Sequence, residues 1–529
     1  MAKNCVSTSG AAGRVGRRRT GILRRGGIAV VLVLTAAVVQ TASATTSTRR
    51  APQYRAALPT SVTMAIDKLA PTLDRQITSS GPDITYNVLE TPLQLNSKGQ
   101  IVSYLAQTYK VLDANTLELK FRKGITFTDG TPFNAQVFKV NMDRILSPQS
   151  TTLAPLYASV SSVKVTGPYN AEIIHTPDAT LLPNLAWYAP MVSAKQIQDS
   201  PGTIATDPIG TGPYVISNNQ PGIEVDMTAN PKWWGKKLYG APKIKTARLV
   251  LVTDPAVRLS EIQSGQAQIA WNLDPSAISQ LKRSQLNVRL GTEVYDLRFG
   301  LNDPLTLDAN VRKAISLVIK RSDLRPLYEG YAVAETQPWP SFVNGYTKRK
   351  APPYDPAQAK SLIQQAGDTG KTIDMWVSSA YKPGIGLVAQ VIAAQIDTTG
   401  LKVQLHDIDR NSFKVVQRTT GKGASPLVWD SVGFEDHQAA DFLVRLAECG
   451  GAFATWCDPT VDALAKKAAA VTNGAKLAPL LQQFEDIQDS YIPYIPIISP
   501  TLIDGKASNL HYDYRGQALP LIDMHYTGS

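Results

Sequence analysis

Hydrophobic and polar residues alternate along LELKFR (117–122). Leu117, Leu119 and Phe121 face one way and Glu118, Lys120 and Arg122 the other, the period-two pattern of a half-buried strand. Lys123-Gly124 supplies a turn, Ile125 and Phe127 resume the alternation, and Asp129-Gly130 turns the chain again. Asn134 then stands where an N-cap is needed, ahead of a helix opening Ala135-Gln-Val-Phe138. Strand patterns recur at 249–252, 296–301 and 401–405, and helical periodicity fits 310–319, 356–366, 386–399 and 460–471. In the first of these helices Val311, Ala314, Ile315, Val318 and Ile319 share one face, behind capping residues Asp308 and Asn310. The mixture implies an α/β protein. No repeat of about 20–50 residues points to a solenoid or propeller.

Composition sharpens the picture only after the charge is located. The chain has 529 residues, enough for two or three domains with substantial cores. Residues 1–44 hold seven basic residues (Lys3, Arg14, Arg17, Arg18, Arg19, Arg24 and Arg25) and no acid. The remainder has 47 basic against 43 acidic residues, a net of +4. The basic excess therefore belongs to the leader, and no nucleic-acid partner is expected. Arg-rich residues 14–25 precede the apolar stretch 28–39, and Ala42-Ser43-Ala44 follows as an A-x-A-like cleavage site. That apolar stretch would rise about 18 Å as a helix, short of the roughly 30 Å hydrocarbon core. Residues 1–44 read as an export signal and 45–57 as a linker. Cys5 precedes the apolar run, whereas a lipid-bearing cysteine would have to follow it, so no lipid anchor is expected. These features place the mature chain in the cell envelope, on the periplasmic or extracellular face, with tethering by an uncleaved leader left open.

Export bears on the other two cysteines. Cys449 and Cys457 stand eight apart in AECGGAFATWCD, and Gly450-Gly451 permits a tight loop. A local disulfide or two buried thiols would both fit. The five histidines form no HExxH pair, and neither a G-x-S-x-G elbow nor a P-loop occurs. Gly210-Thr-Gly212-Pro213 lacks the third glycine of a dinucleotide fingerprint and reads as a structural turn. No cofactor, metal or enzymatic activity is expected.

Seven segments, in order, resemble a known family. They are VSYLAQTYKVLDANTLELKFRKGITFTDGTPFNAQVFKVNMDRIL (102–146), DPIGTGPYVI (207–216), ANPKWWG (229–235), DPAVRLSEIQSGQAQIAW (254–271), RFGLNDPLTLDANVRKAISLVIKRSDL (298–324), YDPAQAKSLIQQAG (354–367) and SYIPYIPI (490–497). Together they are similar to the bacterial extracellular solute-binding proteins of family 5, the peptide and nickel type. The resemblance runs from about residue 60 to the C-terminus. It implies a two-lobed, periplasmic-binding-protein-like clam shell of type II with an extra accessory domain. Lobe I would comprise 58–91, 185–300 and 488–529, the accessory domain 92–184, and lobe II 301–487. The opening hairpin would be scaffold within the accessory domain.

The implied function is capture of small peptides in an interlobe cleft by a monomer. The peptides would then be delivered to the permease and ATPase subunits of an ABC importer. A nickel chelate or an oligosaccharide as ligand, and an exported carrier with no transport role, are the alternatives. A peptide cleft needs a carboxylate for the α-amine, a cation for the carboxylate and backbone groups that meet the peptide as a strand would. The lobe II stretch LVWDSVGFEDHQAADFL (427–443) nominates Trp429, Asp430 and Asp436. Arg298, set among Leu297, Phe299 and Leu301, is a candidate for the ligand carboxylate, with a structural ion pair as the other reading. Tyr157 and Trp339 are candidate cleft aromatics, and both residue types are equally at home in a core.

Overall fold

Strand Ser61–Ile66 buries Met64, Ala65 and Ile66 in succession, so both of its faces are covered, as a central parallel strand requires. In this computed structural model, residues 58–528 are described except 79–81, 97–99, 151, 179, 380–383, 420–425, 435–438, 440–441, 448, 450–453, 472–473 and 516–517. The leader, the linker and Asp436 lie outside the described residues.

Ser61–Ile66 pairs in parallel with Thr246–Leu251 on one side and Ile269–Ala270 on the other. They form the middle of a seven-stranded sheet ordered Leu286–Leu290, Thr501–Lys506, Ile269–Ala270, Ser61–Ile66, Thr246–Leu251, Glu224–Ala229, Tyr214–Gln220. A second sheet has six strands in the order Val333–Ala334, Tyr494–Ser499, Glu293–Phe299, Leu427–Gly433, Thr372–Val377, Lys402–Asp407. Helices Ala309–Val318, Pro356–Ala366 and Ile385–Asp397 cover one face of it, packing Val311, Ile315, Ile363 and Ile392 against Leu297, Phe299, Met375 and Trp429. The other face meets Trp339, Phe442, Leu481 and Phe484 through Val294, Val432 and Tyr494.

The segment 117–138 forms only in part as its pattern suggests: 117–121 lies in a strand, but its partners are other strands, and 125–132 keeps a single isolated bridge, Thr126 to Pro132. Strands Ala106–Asp113 and Thr116–Phe121 pair antiparallel in a four-stranded sheet completed by Asn170–His175 and Val160–Gly167. Leu117, Leu119 and Phe121 are buried, and Phe121 packs on Phe133 and Phe138 with ring centroids 5.2 and 4.9 Å away. The Asn134 side chain accepts from the backbone N–H of Val137 at 3.0 Å and so caps helix Ala135–Ile145. Asp308 does the same for Ala309–Val318, accepting from Asn310 N at 2.7 Å. Cys449 and Cys457 are joined by a disulfide.

The chain passes between the two large sheets at 290–293 and again at 499–501. These crossings correct the expected lobe boundaries: Glu293–Phe299 and Tyr494–Ser499 lie in the second sheet, not the first. The reason is visible in burial. Every residue of both strands is buried, which suits the adjacent inner strands they form. Side by side, the crossings touch through Gly291 N–H donating to Pro500 O at 2.9 Å, and a Cβ on Gly291 would lie 2.7 Å from that oxygen.

The Gly-Thr-Gly turn is likewise a matter of close approach. Gly212 N donates to Val88 O at 3.0 Å and Tyr214 N to Asn87 O at 3.1 Å. A Cβ on Gly212 would fall 2.5 Å from Val88 O and 2.6 Å from Asn87 O. A Gly212→Ala substitution is therefore expected to cost at least about 1–3 kcal/mol, read as a lowered denaturation midpoint. An unchanged midpoint would mean that this backbone contact is dispensable.

Candidate ligand cleft

In open α/β sheets ligands bind beyond the carboxyl ends of the strands. The parallel strands of the first sheet end at Ile66, Leu251 and Ala270, and those of the second at Val377, Asp407 and Gly433. The register directs both sets of ends toward the crossings. Leu290 pairs with Thr501, and Glu293 pairs with Gly433. The space beside the crossings is thus faced by strand ends from both lobes.

On the first lobe a buried arginine fixes two of those loops. Arg258, 1% exposed, donates to the carbonyls of Val252, Thr253, Trp271 and Asn272 at 2.6–2.9 Å. One guanidinium thereby clamps the ends of the two strands that flank Ser61–Ile66, satisfying backbone oxygens that strand pairing leaves over. Asn272 adopts a left-handed φ of 46° and bonds Asp67 through its side chain at 2.9 Å. Asp504, fully buried, receives Asn272 N at 3.1 Å and the Tyr514 hydroxyl at 2.7 Å, while Arg289 lies 3.7 Å over the Tyr514 ring. Asp67 Oδ1 and Trp271 Nε1 are buried and have no hydrogen-bond partner among the described residues.

The residues nominated from the sequence in the second lobe come together, but inside the sheet. Asp296 and Asp430 face each other across adjacent strands, and Arg298 bridges them, 2.8 Å from Asp296 Oδ1 and 2.6 Å from Asp430 Oδ2. All three are about 3% exposed. Arg298 also donates to Ser431 O, and Gln417 donates to Asp430 at 2.6 Å. Two like charges directly opposite would repel; the guanidinium between them makes the arrangement tenable. This is the structural ion pair, with its hydrogen-bonding groups turned inward and not to a ligand. Trp429, 1% exposed, packs against Tyr295 at 5.5 Å in the helix-covered core. Trp339 is fully buried against Phe442 and Phe484. Tyr157 is buried in the accessory core with its hydroxyl on Asn184 O at 2.8 Å. In this structure these five side chains are held by packing and by partners within the protein. Asp436 is outside the described residues, three positions beyond the carboxyl end of Leu427–Gly433.

Sequence reasoning missed the carbonyl-binding arginines. Arg312 donates to the carbonyls of Thr306, Leu307 and Tyr491, and Arg321 to those of Glu335 and Pro496. Burial lowers the pKa of Arg321 to about 10. Arg312 interrupts the apolar helical pattern of 309–318, and that was the available signal; Arg321, in the polar stretch after that helix, carried none. The ANPKWWG segment also has its explanation. Both indoles, Trp233 and Trp234, donate to buried Glu90, which also accepts from Tyr104 and Thr211 at 2.6–2.8 Å.

Burial pushes several carboxyls far up: Glu90, Asp296 and Glu335 to about 7, and Glu485 to about 8. At Glu90 the four donors oppose the rise, and at Asp296 the Arg298 charge does. A carboxyl raised above its unfolded value of about 4 adds stability below that pH and loses it as pH rises through the folded value. Thermal stability is therefore expected to fall between about pH 5 and 8, with a shallower fall in Glu335→Gln. A flat profile in the parent protein would refute this. Arg298→Met leaves two opposed buried acids and is expected to cost about 3–5 kcal/mol by denaturant titration.

Comparison with known proteins places this geometry. Residues 100–453 match the family described as bacterial extracellular solute-binding proteins, family 5 Middle. Di/tripeptide-binding protein 2 of Pseudomonas aeruginosa is 25% identical over 453 residues, covering 78% of this chain and 83% of that protein. Among solved structures, NikA from Brucella suis in complex with Fe(III)-EDTA superposes with a TM-score of 0.77 at 19% identity, over 88% of this chain and 100% of the other. The periplasmic binding protein DppA from Helicobacter pylori, in complex with peptide STSA, gives 0.75 at 18% identity, over 89% and 99%. A sheet pair joined by two adjacent crossings, with the seven ordered motifs in their places, is thus the framework of a family to which this chain belongs: the bacterial extracellular solute-binding proteins, family 5.

Proposed function

We propose that this protein is the exported ligand-capturing component of an ATP-driven importer. It takes a peptide of two or a few residues into the cleft between its sheets, closes on it, and presents the closed form to permease and ATPase subunits. The observation that carries the reading is the pair of crossings at 290–293 and 499–501, beside which the strand ends of both sheets converge. A ligand that touches both lobes only when they approach favours the closed form by that difference in contact. The di/tripeptide-binding relative supports the choice of ligand.

In this reading Asp67 and Asp436, each just beyond a strand end, offer carboxylates to the peptide amine. The Trp271 indole N–H meets a peptide oxygen, giving its buried donor a partner. The chain acts as a monomer, binds without turnover, and reaches the outer face of the membrane through the 1–44 leader. Among the described residues no helix is long and apolar enough to cross a membrane.

Isothermal titration of the leaderless protein with dipeptides and tripeptides tests the proposal. Saturable binding is expected, with a thermal midpoint that rises with peptide concentration; at 100 times the Kd the stabilisation is about 2.7 kcal/mol. Asp67→Asn and Asp436→Asn should each weaken binding by at least about tenfold with the fold intact. Saturable binding of a nickel–histidine chelate or an oligosaccharide, with indifference to peptides, would overturn the peptide assignment. Indifference to all three would overturn the transport reading.

A further inference from the structure

The accessory sheet carries a groove of its own. It encloses about 850 Å³ and is lined by Lys120, Arg122 and Lys123 from one hairpin strand and its turn, Tyr169 from the neighbouring turn, and Trp234 and Lys237 from the WWGKK segment. It contains no acidic lining residue, and none of its four cations pairs with an acid among the described residues. The neighbouring row of the same sheet is different. There Glu118 stands opposite Lys110 and Glu172 opposite Lys164, so its charges balance. The row that enters the groove, with Lys120 opposite Thr108 and Asn170, has no acid to balance it.

Two of the cations are positioned from below. The Arg122 guanidinium sits 5.8 Å from the centre of the Trp234 ring, and its Nε donates to Tyr104 O at 2.7 Å. The Lys123 ammonium lies 5.9 Å from the centre of the Tyr169 ring. Ring faces hold cations at such distances and limit the ordering cost of meeting an anion.

We propose that this groove is a second binding site, separate from the interlobe cleft, for an acidic glycan: a linear chain whose sugar rings bear carboxylate or phosphate groups. Four cations spread over this volume suit repeated charges better than one small anion. The concave shape does not match the plane of a bilayer. Strand Thr116–Phe121, which carries Lys120, is already paired on both edges and offers no free backbone for an extended peptide to add to. Pro168, Tyr169, Trp234 and Leu238 supply apolar surface between the charges, against which the C–H faces of sugar rings can lie.

The test is titration of the full mature chain with oligogalacturonate, with neutral dextran, a single-stranded oligodeoxynucleotide and phosphatidylglycerol vesicles as comparisons. Oligogalacturonate is expected to bind, more weakly at about 0.2 M than at 0.02 M salt, and dextran is not. The combined Lys120→Glu, Lys123→Glu and Lys237→Glu variant should lose at least about tenfold in that affinity, with thermal midpoint and peptide binding unchanged. The same reversals at the exposed Lys402, Lys414 and Lys466 of the second lobe should leave it unchanged. The proposal is overturned by absence of binding, by dextran binding equally, by the oligonucleotide or the vesicles binding in preference, or by both triple variants behaving alike.

Discussion

Two short segments carry the chain between its sheets, and a backbone hydrogen bond, Gly291 to Pro500, ties them side by side next to the Leu290–Thr501 strand pair. Everything functional in the architecture depends on that adjacency. If the crossings lay at opposite ends of the sheets, the strand ends could not converge on one space. Because they touch, the two lobes share one line, and the strand ends at Ile66, Ala270 and Gly433 lie on its side of the sheets. Glycine at 291 is a condition of the contact, since a side chain there would meet the Pro500 carbonyl.

Local structure was readable in the sequence wherever local chemistry decides it. The alternation at 117–121, the Asn134 and Asp308 caps and the apolar stripe of 310–319 reappear as strand, caps and helix with shifts of one or two residues at their ends, whereas Ile125 and Phe127 fall outside the strand. Helix boundaries fray, so shifts of that size carry no information. The lobe boundaries were less legible. A strand of seven buried residues looks the same in either sheet, and only long-range pairing assigns Glu293–Phe299 to the second.

The candidate site was the least legible part, for a specific reason. Arg298, Asp430 and Trp429 carry the residue types of a ligand site, but their partners are distant in sequence: Asp296 pairs with Asp430 across two strands, and Trp429 rests on Tyr295. A charge in an apolar run marks either a cleft or a buried pair, and the run alone does not distinguish them. Arg258, Arg312 and Arg321 show a third use, in which a cation gathers leftover backbone oxygens at chain ends and turns. Asp67 and Trp271 were unremarkable in sequence because what singles them out is an unpaired buried atom at the end of a strand.

The Arg298 bridge has a consequence for how such a protein diversifies. Its charges are spent within the sheet, so the frame of the second lobe is electrically complete before any ligand arrives. In the function proposed above, recognition falls to the loops beyond the strand ends. A lineage could exchange those loops, and with them the molecule it collects, while the sheet beneath stays as it is. The same scaffold would serve as a stable chassis on which ligand preference drifts faster than the fold.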